Sequence, residues 1–192
     1  ETPYIRMFSF FIPAGETPEI YKEQVFERLQ RMADYAEKEN VVLLHENEKE
    51  IYGDNALRCL EIMQQFYGEQ AVFDFANFVQ CRQDTKEAYE LLKPYIAYIH
   101  IKDAKADSGM VVPAGYGDGH VKEILKTLLG SGYEGFLSLE PHLTEFTGFG
   151  SLEQNGELEN RKMSGEEAYT MAYTALKDIL DSLLQEDEEV HR

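Results

Sequence analysis

The residues of this chain best suited to chemistry stand at the ends of four short apolar runs. Tyr98-Ile99-His100-Ile101 passes into Lys102-Asp103, and Val41-Val42-Leu43-Leu44-His45 into Glu46-Asn47-Glu48. Ala71-Val72-Phe73 ends in Asp74, and Phe136-Leu137-Ser138-Leu139 runs into Glu140-Pro141-His142. A run of this length and composition reads as a buried strand that delivers a polar side chain at its carboxyl end. Helix-like segments separate the four, so each is the strand of a strand–helix unit in a parallel sheet, and such folds gather ligands at the carboxyl ends of their strands. Glu46, Asp74, His100 and Glu140 are therefore expected to converge. Three carboxylates and one imidazole make a suitable shell for one divalent ion such as Mn²⁺, Mg²⁺, Co²⁺ or Zn²⁺. Glu48 competes with Glu46 for this role, and Glu46 is preferred because it follows the apolar run directly.

The intervening elements must hold these strand ends in place. Tyr4 to Phe11 is aromatic and apolar and reads as a strand leaving into a loop marked by Pro13, Gly15 and Pro18. Ile20, Val25, Leu29, Met32 and Ala36 recur at helical spacing over Glu19 to Lys38. Gly53-Asp54 suggests a turn and N-cap for a helix carrying Ala56, Leu57, Leu60, Met63 and Phe66, ended by Gly68. A loop over Ala76 to Gln83 leads to Asp84 or Thr85 as the cap of a helix to Leu92, which Pro94 stops. Beyond the strand Ile96 to Ile101 lies a loop of small residues ending in Ala114-Gly115-Tyr116-Gly117-Asp118-Gly119, then a helix over His120 to Leu129. Ser164 with Glu167 forms a capping box for the final helix, whose apolar face is Ala168, Met171, Ala175, Ile179 and Leu183. Polar ends on so many strands suit a (β/α)₈ barrel better than an open doubly wound sheet.

A barrel of that kind typically needs ~250 residues, so this chain is expected to be a partial barrel lacking roughly three strand–helix units. The first residue is Glu1, and the residues after it already resemble a protein interior, as in a fragment or a processed chain. The 192 residues, 43% of them hydrophobic, are enough for one sizeable core and a single domain. A net charge of -18 repels phosphate backbones and argues against a nucleic-acid partner. No apolar run approaches the ~18 residues of a membrane span, and no signal peptide is recognisable. Cys59 and Cys81 form no metal-ligand spacing and read as reduced thiols of a cytoplasmic protein.

The order E-N-E, D-F-A-N-F, H-I-K-D, a G-x-G-x-G loop and S-L-E-P-H resembles the carboxyl-terminal two-thirds of the xylose isomerase-like TIM barrels, from about the fourth barrel strand to the eighth helix. This group includes ketose 3-epimerases, inosose dehydratases and endonuclease IV. The resemblance implies one divalent metal held by Glu46, Asp74, His100 and Glu140. It also implies a metal-dependent sugar or sugar-phosphate isomerase or epimerase acting by proton transfer through an enediolate, with Glu46 and Glu140 as the catalytic carboxylates. Arg6, Asn77, Lys102, Asp103 and His142 are candidate contacts for a small carbohydrate substrate. For Lys102 and Asp103 a structural pair is the competing reading, and for Arg6 an ion pair with a ligating carboxylate. Ketose epimerases and endonuclease IV carry a histidine where this chain has Asn77, and the further histidines of a three-zinc cluster are not matched, which argues against DNA repair. An inosose dehydratase-like lyase and a non-catalytic ligand-binding barrel are the alternatives, and a homo-oligomer is compatible with either.

Three features remain outside the expected ligand set. The backbone N–H groups of Gly115 to Gly119 are suited to a phosphate or hydroxyl, but without a GK[ST] sequence a plain turn is the preferred reading. His45, His142 and His191 are expected to be ordinary surface or rim residues, although His142 lies close enough to Glu140 to line the pocket.

Overall fold

The computed structural model describes residues 3–66, 70–144 and 163–190. In chain order the elements are β1 (Tyr4–Met7), a 3-10 turn (Pro18–Tyr21), α1 (Lys22–Lys38), β2 (Val42–Glu46), α2 (Ala56–Gln65), β3 (Gln70–Asp74), α3 (Phe75–Gln80), α4 (Thr85–Leu92), β4 (Ile96–Ile101), β5 (Asp103–Ala104), β6 (Val111–Val112), α5 (Val121–Gly130), β7 (Phe136–Leu139) and α6 (Gly165–Val190). Five strands form one sheet in the order β1-β2-β3-β4-β7, with every neighbouring pair parallel. The sheet curls into a half-barrel flanked by helices, a partial (β/α)₈ barrel. Among the described residues it does not close, and β1 and β7 are its edges. The short strands β5 and β6 pair with each other in an antiparallel ribbon.

Two apolar clusters fasten helices to strands. Val25, Leu29 and Ala36 of α1 pack with Met7 and Leu43. Phe73, Ile99 and Ile101 pack with Ala88 and Leu92 of α4, Ile124, Leu125 and Leu128 of α5, and Leu176 and Ile179 of α6. Each large apolar side chain so buried contributes roughly 1.5–3 kcal/mol. Among the described residues no helix is long and apolar enough to cross a membrane.

Several local expectations change in the structure. The first strand stops at Met7, and Phe11 makes only an isolated bridge to Ile51. Ile20 and Leu57 have helical spacing but point outward, at 69% and 64% exposure. Asn55, not Asp54, caps α2 by accepting from Arg58 N, because Asp54 pairs instead with the Arg58 guanidinium. The segment after Asp74, expected to be a loop, is α3, nucleated where Asp74 Oδ1 accepts from Asn77 N at 2.8 Å. The caps at Asp84 and at Ser164 with Glu167 form as the spacing predicts. Gly68 and His191 lie outside the described residues.

Candidate metal centre

Side chains alternate along a strand, and the helix-facing set is Leu43, Phe73, Ile99 with Ile101, and Leu137 with Leu139. Glu46, Asp74, His100 and Glu140 therefore face the concave side. The parallel register brings them level, pairing Asp74 with His100 and His100 with Ser138, two residues before Glu140. One ligand-capable atom from each of the four lies within 4.8 Å of all the others. His100 Nδ1 is 2.8 Å from Glu46 Oε1, 3.6 Å from Glu140 Oε2 and 3.9 Å from Asp74 Oδ2.

Asp74 Oδ2 tests whether this cluster suits a cation. It is buried and accepts no hydrogen bond, although Lys102 Nζ lies 3.0 Å away. That approach is close enough for Coulombic attraction but is not aligned as a hydrogen bond. A desolvated oxygen without a donor is costly unless a charge compensates it. Two further carboxylates and an imidazole beside it complete a donor set that fits a divalent ion.

The cluster holds its own positive charges as well. Lys102, only 4% exposed, donates to Glu140 Oε2 while lying beside Asp74. Arg6 Nη1 donates to Glu46 Oε2 at 2.7 Å, and its guanidinium lies over the Phe8 ring at 4.8 Å. Burial pushes the Asp74 carboxyl up to about 7, against the opposing pull of Lys102. Burial also disfavours the charged form of Glu140, but there the Lys102 charge and hydrogen bond win and bring the carboxyl down to about 2. The two acids diverge because Asp74 is the more deeply buried and faces two other carboxylates, while Glu140 is partly exposed and takes the hydrogen bond from the ammonium. Burial lowers the His100 imidazole, and the hydrogen bond and charge of Glu46 with the charges of Glu140 and Asp74 outweigh it, leaving a net rise. Both upward shifts, of Asp74 and of His100, oppose the deprotonated forms that ligate a cation, so metal affinity should fall in mild acid.

Of the candidate substrate contacts, Arg6, Lys102 and His142 border the cluster. Arg6 is 46% exposed at the mouth, and His142 is exposed beside Glu140, whose charge it influences. Asn77 and Asp103 are placed differently. Asn77 is buried, with its backbone N–H capped by Asp74 and its amide donating to Asn47 O and Glu48 Oε2. Asp103 is fully buried and does not pair with Lys102. It accepts from the backbone N–H groups of Ala104, Gly115, Gly117 and Gly119 at 2.8–3.1 Å.

The G-x-G-x-G loop thus wraps a carboxylate of its own chain. A Cβ on Gly117 would lie 2.6 Å from Asp103 Cγ, and one on Gly119 would lie 2.6 Å from Asp103 Oδ1, so the backbone approaches too closely for any side chain there. His45 is also not a rim residue. It is 1% exposed and packed against Gly53, where a Cβ would come within 2.7 Å of its Nε2. Asn47, which the sequence reading passed over between two acids, makes both of its side-chain hydrogen bonds to the Asp74 backbone. Its only signal was its place in the E-N-E motif.

The family model described as xylose isomerase-like TIM barrel matches residues 3–164. No curated protein is similar enough to match. Among solved structures the chain is similar to a D-tagatose 3-epimerase-like protein, with 18% identity over 95% of this chain and 64% of that one and a TM-score of 0.70. It is also similar to the probable 3-DHS dehydratase AsbF, involved in petrobactin synthesis, from Bacillus anthracis, with 19% identity over 72% and 57% of the two chains and a TM-score of 0.62. A xylose isomerase-like TIM barrel protein from Mycobacterium smegmatis in complex with magnesium gives 18% identity over 91% and 55%, with a TM-score of 0.57. The chain therefore spans less than two-thirds of the length of these structures, and at such identities the likeness concerns the fold.

Proposed function

The chain belongs to the xylose isomerase-like TIM barrel family, and from that premise we propose that it is the part of a barrel, from about strand 4 to helix 8, that carries the metal site of a sugar or sugar-phosphate isomerase or epimerase. The observation that carries this reading is the convergence of Glu46, Asp74, His100 and Glu140, with Asp74 Oδ2 left without a hydrogen-bond donor. These four residues would hold the ion, with Mn²⁺ the favoured occupant among Mn²⁺, Mg²⁺, Co²⁺ and Zn²⁺. The bound ion would polarise a substrate carbonyl and so make the proton on the adjacent carbon removable near neutral pH.

The chain's own carboxylates would move that proton. Glu140 is the more accessible of the two glutamates and would be one proton-handling carboxylate; Lys102 keeps it ionised and by the same contact lowers its basicity. Glu46 comes from β2, on the other side of His100, and serves as the second proton-handling carboxylate. Return of the proton on the opposite face gives epimerisation, and return on the same face gives aldose–ketose isomerisation. Arg6, Lys102 and His142, bordering the cluster, are the groups to receive hydroxyl or phosphate oxygens. The free cysteines Cys59 and Cys81 support a cytoplasmic location.

The likeness to the probable 3-DHS dehydratase supports a second reading, a lyase in which the same proton is removed and a neighbouring hydroxyl leaves. Turnover of a panel of ketoses with Mn²⁺ in deuterated water separates the two. Epimerase or isomerase activity incorporates solvent deuterium at the reacting carbon, whereas lyase activity yields a product lighter by one water. Glu140→Gln should abolish turnover with the fold retained, and full activity in both Glu46→Gln and Glu140→Gln would refute the assignment.

A further inference from the structure

Asp74 divides its polar groups between two tasks. Its Oδ1 caps α3 by accepting from Asn77 N at 2.8 Å, while Oδ2 faces the cluster without a hydrogen bond. Its main chain is fixed as well. Asn47 Oδ1 accepts from Asp74 N at 2.9 Å, and Asn47 Nδ2 donates to Asp74 O at 3.0 Å. A side-chain amide thereby holds the main chain of one residue at both its N–H and its C=O, just beyond the β2–β3 ladder, whose last pair is Glu46 with Val72. Asn77 Nδ2 closes the ring by donating to Asn47 O at 2.9 Å. Neither asparagine is more than 2% exposed, so water does not compete for these bonds.

We infer that Asn47 and Asn77 are positioning residues, an amide clamp that fixes Asp74 as a one-oxygen ligand and thereby biases the site toward small divalent ions over Ca²⁺. The inference rests on the metal-site reading above. The Asn77 N–H takes one lone pair of Oδ1 and orients the carboxylate with Oδ2 toward His100 and Lys102, so presenting both oxygens evenly to one ion would require the carboxylate to turn and strain the cap of α3, and the clamp prevents its backbone from moving to compensate. Ca²⁺ takes 6–8 oxygen ligands and often a bidentate carboxylate, whereas ions such as Mn²⁺ and Mg²⁺ accept a smaller set of single donors and Mn²⁺ also takes imidazole.

Two substitutions test the clamp. Asn77→Ala keeps the backbone N–H that caps Asp74 and removes the amide's bonds to Asn47 O and Glu48 Oε2, at a helical position where alanine is favoured. Asn47→Asp is isosteric and removes the donor to Asp74 O, and because the charge it adds would by itself attract a cation, a loss of affinity is read against that bias. Binding of Mn²⁺ and of Ca²⁺ is measured by calorimetry on the parent and both variants, with the Mn²⁺ resonance spectrum as a report on ligand geometry and circular dichroism as the check on folding. The expected result is a Mn²⁺ affinity weaker by about 10–100-fold, the range seen when groups that orient metal ligands are removed, together with a narrowed Mn²⁺/Ca²⁺ preference and a broadened spectrum. If the parent binds Mn²⁺ and the folded variants match it within about twofold with the same ion preference, the clamp is overturned while the metal site stands. If the parent takes up no Mn²⁺, the metal reading fails and the clamp with it. Should Asn47→Asp not fold, Asn77→Ala decides alone.

Discussion

Replacing Lys102 with methionine should move stability and metal affinity in opposite directions. Lys102 is buried against Asp74 Oδ2 at 3.0 Å and donates to Glu140 Oε2, so in metal-free protein it is the cation that makes two adjacent carboxylates tolerable. Removing one partner of a buried pair typically costs 3–5 kcal/mol, because the charge left behind has lost its compensation. The lower end, about 3 kcal/mol, applies here, since Glu140 is 25% exposed and Asp74 already holds its proton up to about 7. The same ammonium repels an incoming divalent ion, and two unit charges 4 Å apart interact by about 4 kcal/mol at an effective dielectric of 20. Even a third of that repulsion, relieved, tightens Mn²⁺ binding about tenfold. The assay is urea unfolding followed by far-UV circular dichroism, because the chain has no tryptophan, in chelator and in saturating Mn²⁺. Lys102→Met should lose about 3 kcal/mol against the parent in chelator and recover about half of that difference in saturating Mn²⁺, because tenfold tighter binding to the folded state alone adds about 1.4 kcal/mol of stability. A metal-free loss below about 1 kcal/mol, or weaker Mn²⁺ binding in the variant, would show that Lys102 is not the resident counter-cation.

Two further outcomes test the scaffold. Burial holds His45 down to about 4 from its usual 6.5, against an opposing charge from Glu46. Below pH 6.5 the unfolded chain therefore binds a proton that the folded chain refuses, so up to about 3 kcal/mol of stability is present above that pH and lost as pH falls toward 4. In His45→Phe this part of the acid slope should vanish, and parallel slopes for parent and variant would refute the assignment. Gly117→Ala should cost about 2 kcal/mol by driving a Cβ into Asp103, as read from the thermal midpoint. Gly130→Ala, where a Cβ meets nothing within 4 Å, should be neutral or slightly stabilising, and similar losses in both would show that close approach is not the cause.

The strand ends of the candidate site were legible in the sequence because they are marked locally. A buried strand needs a continuous apolar run, and a polar residue that ends the run marks where the strand leaves the core. Parallel pairing then brings the carboxyl ends together, so Glu46, Asp74, His100 and Glu140 could be grouped from chain order alone. The caps at Asp84 and Ser164 were legible for a similar reason, since donor and acceptor are three residues apart. Periodicity failed where burial is not one-sided: residues 75–79 of α3 are all buried, so no stripe distinguishes that helix from a loop. It misled at Ile20 and Leu57, whose helical spacing does not say which side the sheet occupies.

What tertiary structure alone decided is where the remaining polar groups find partners. The glycine loop folds around Asp103, 12–16 residues away in the chain, rather than around a ligand. Asn47 and Asn77 reach across 27–30 residues to secure Asp74 and each other, and Lys102 bypasses its neighbour Asp103 for Asp74 and Glu140. His45 is buried with Gly53 packed against its ring. Residue type states that a buried donor or acceptor must be satisfied, but the identity of its partner depends on which loops the fold brings within 3 Å.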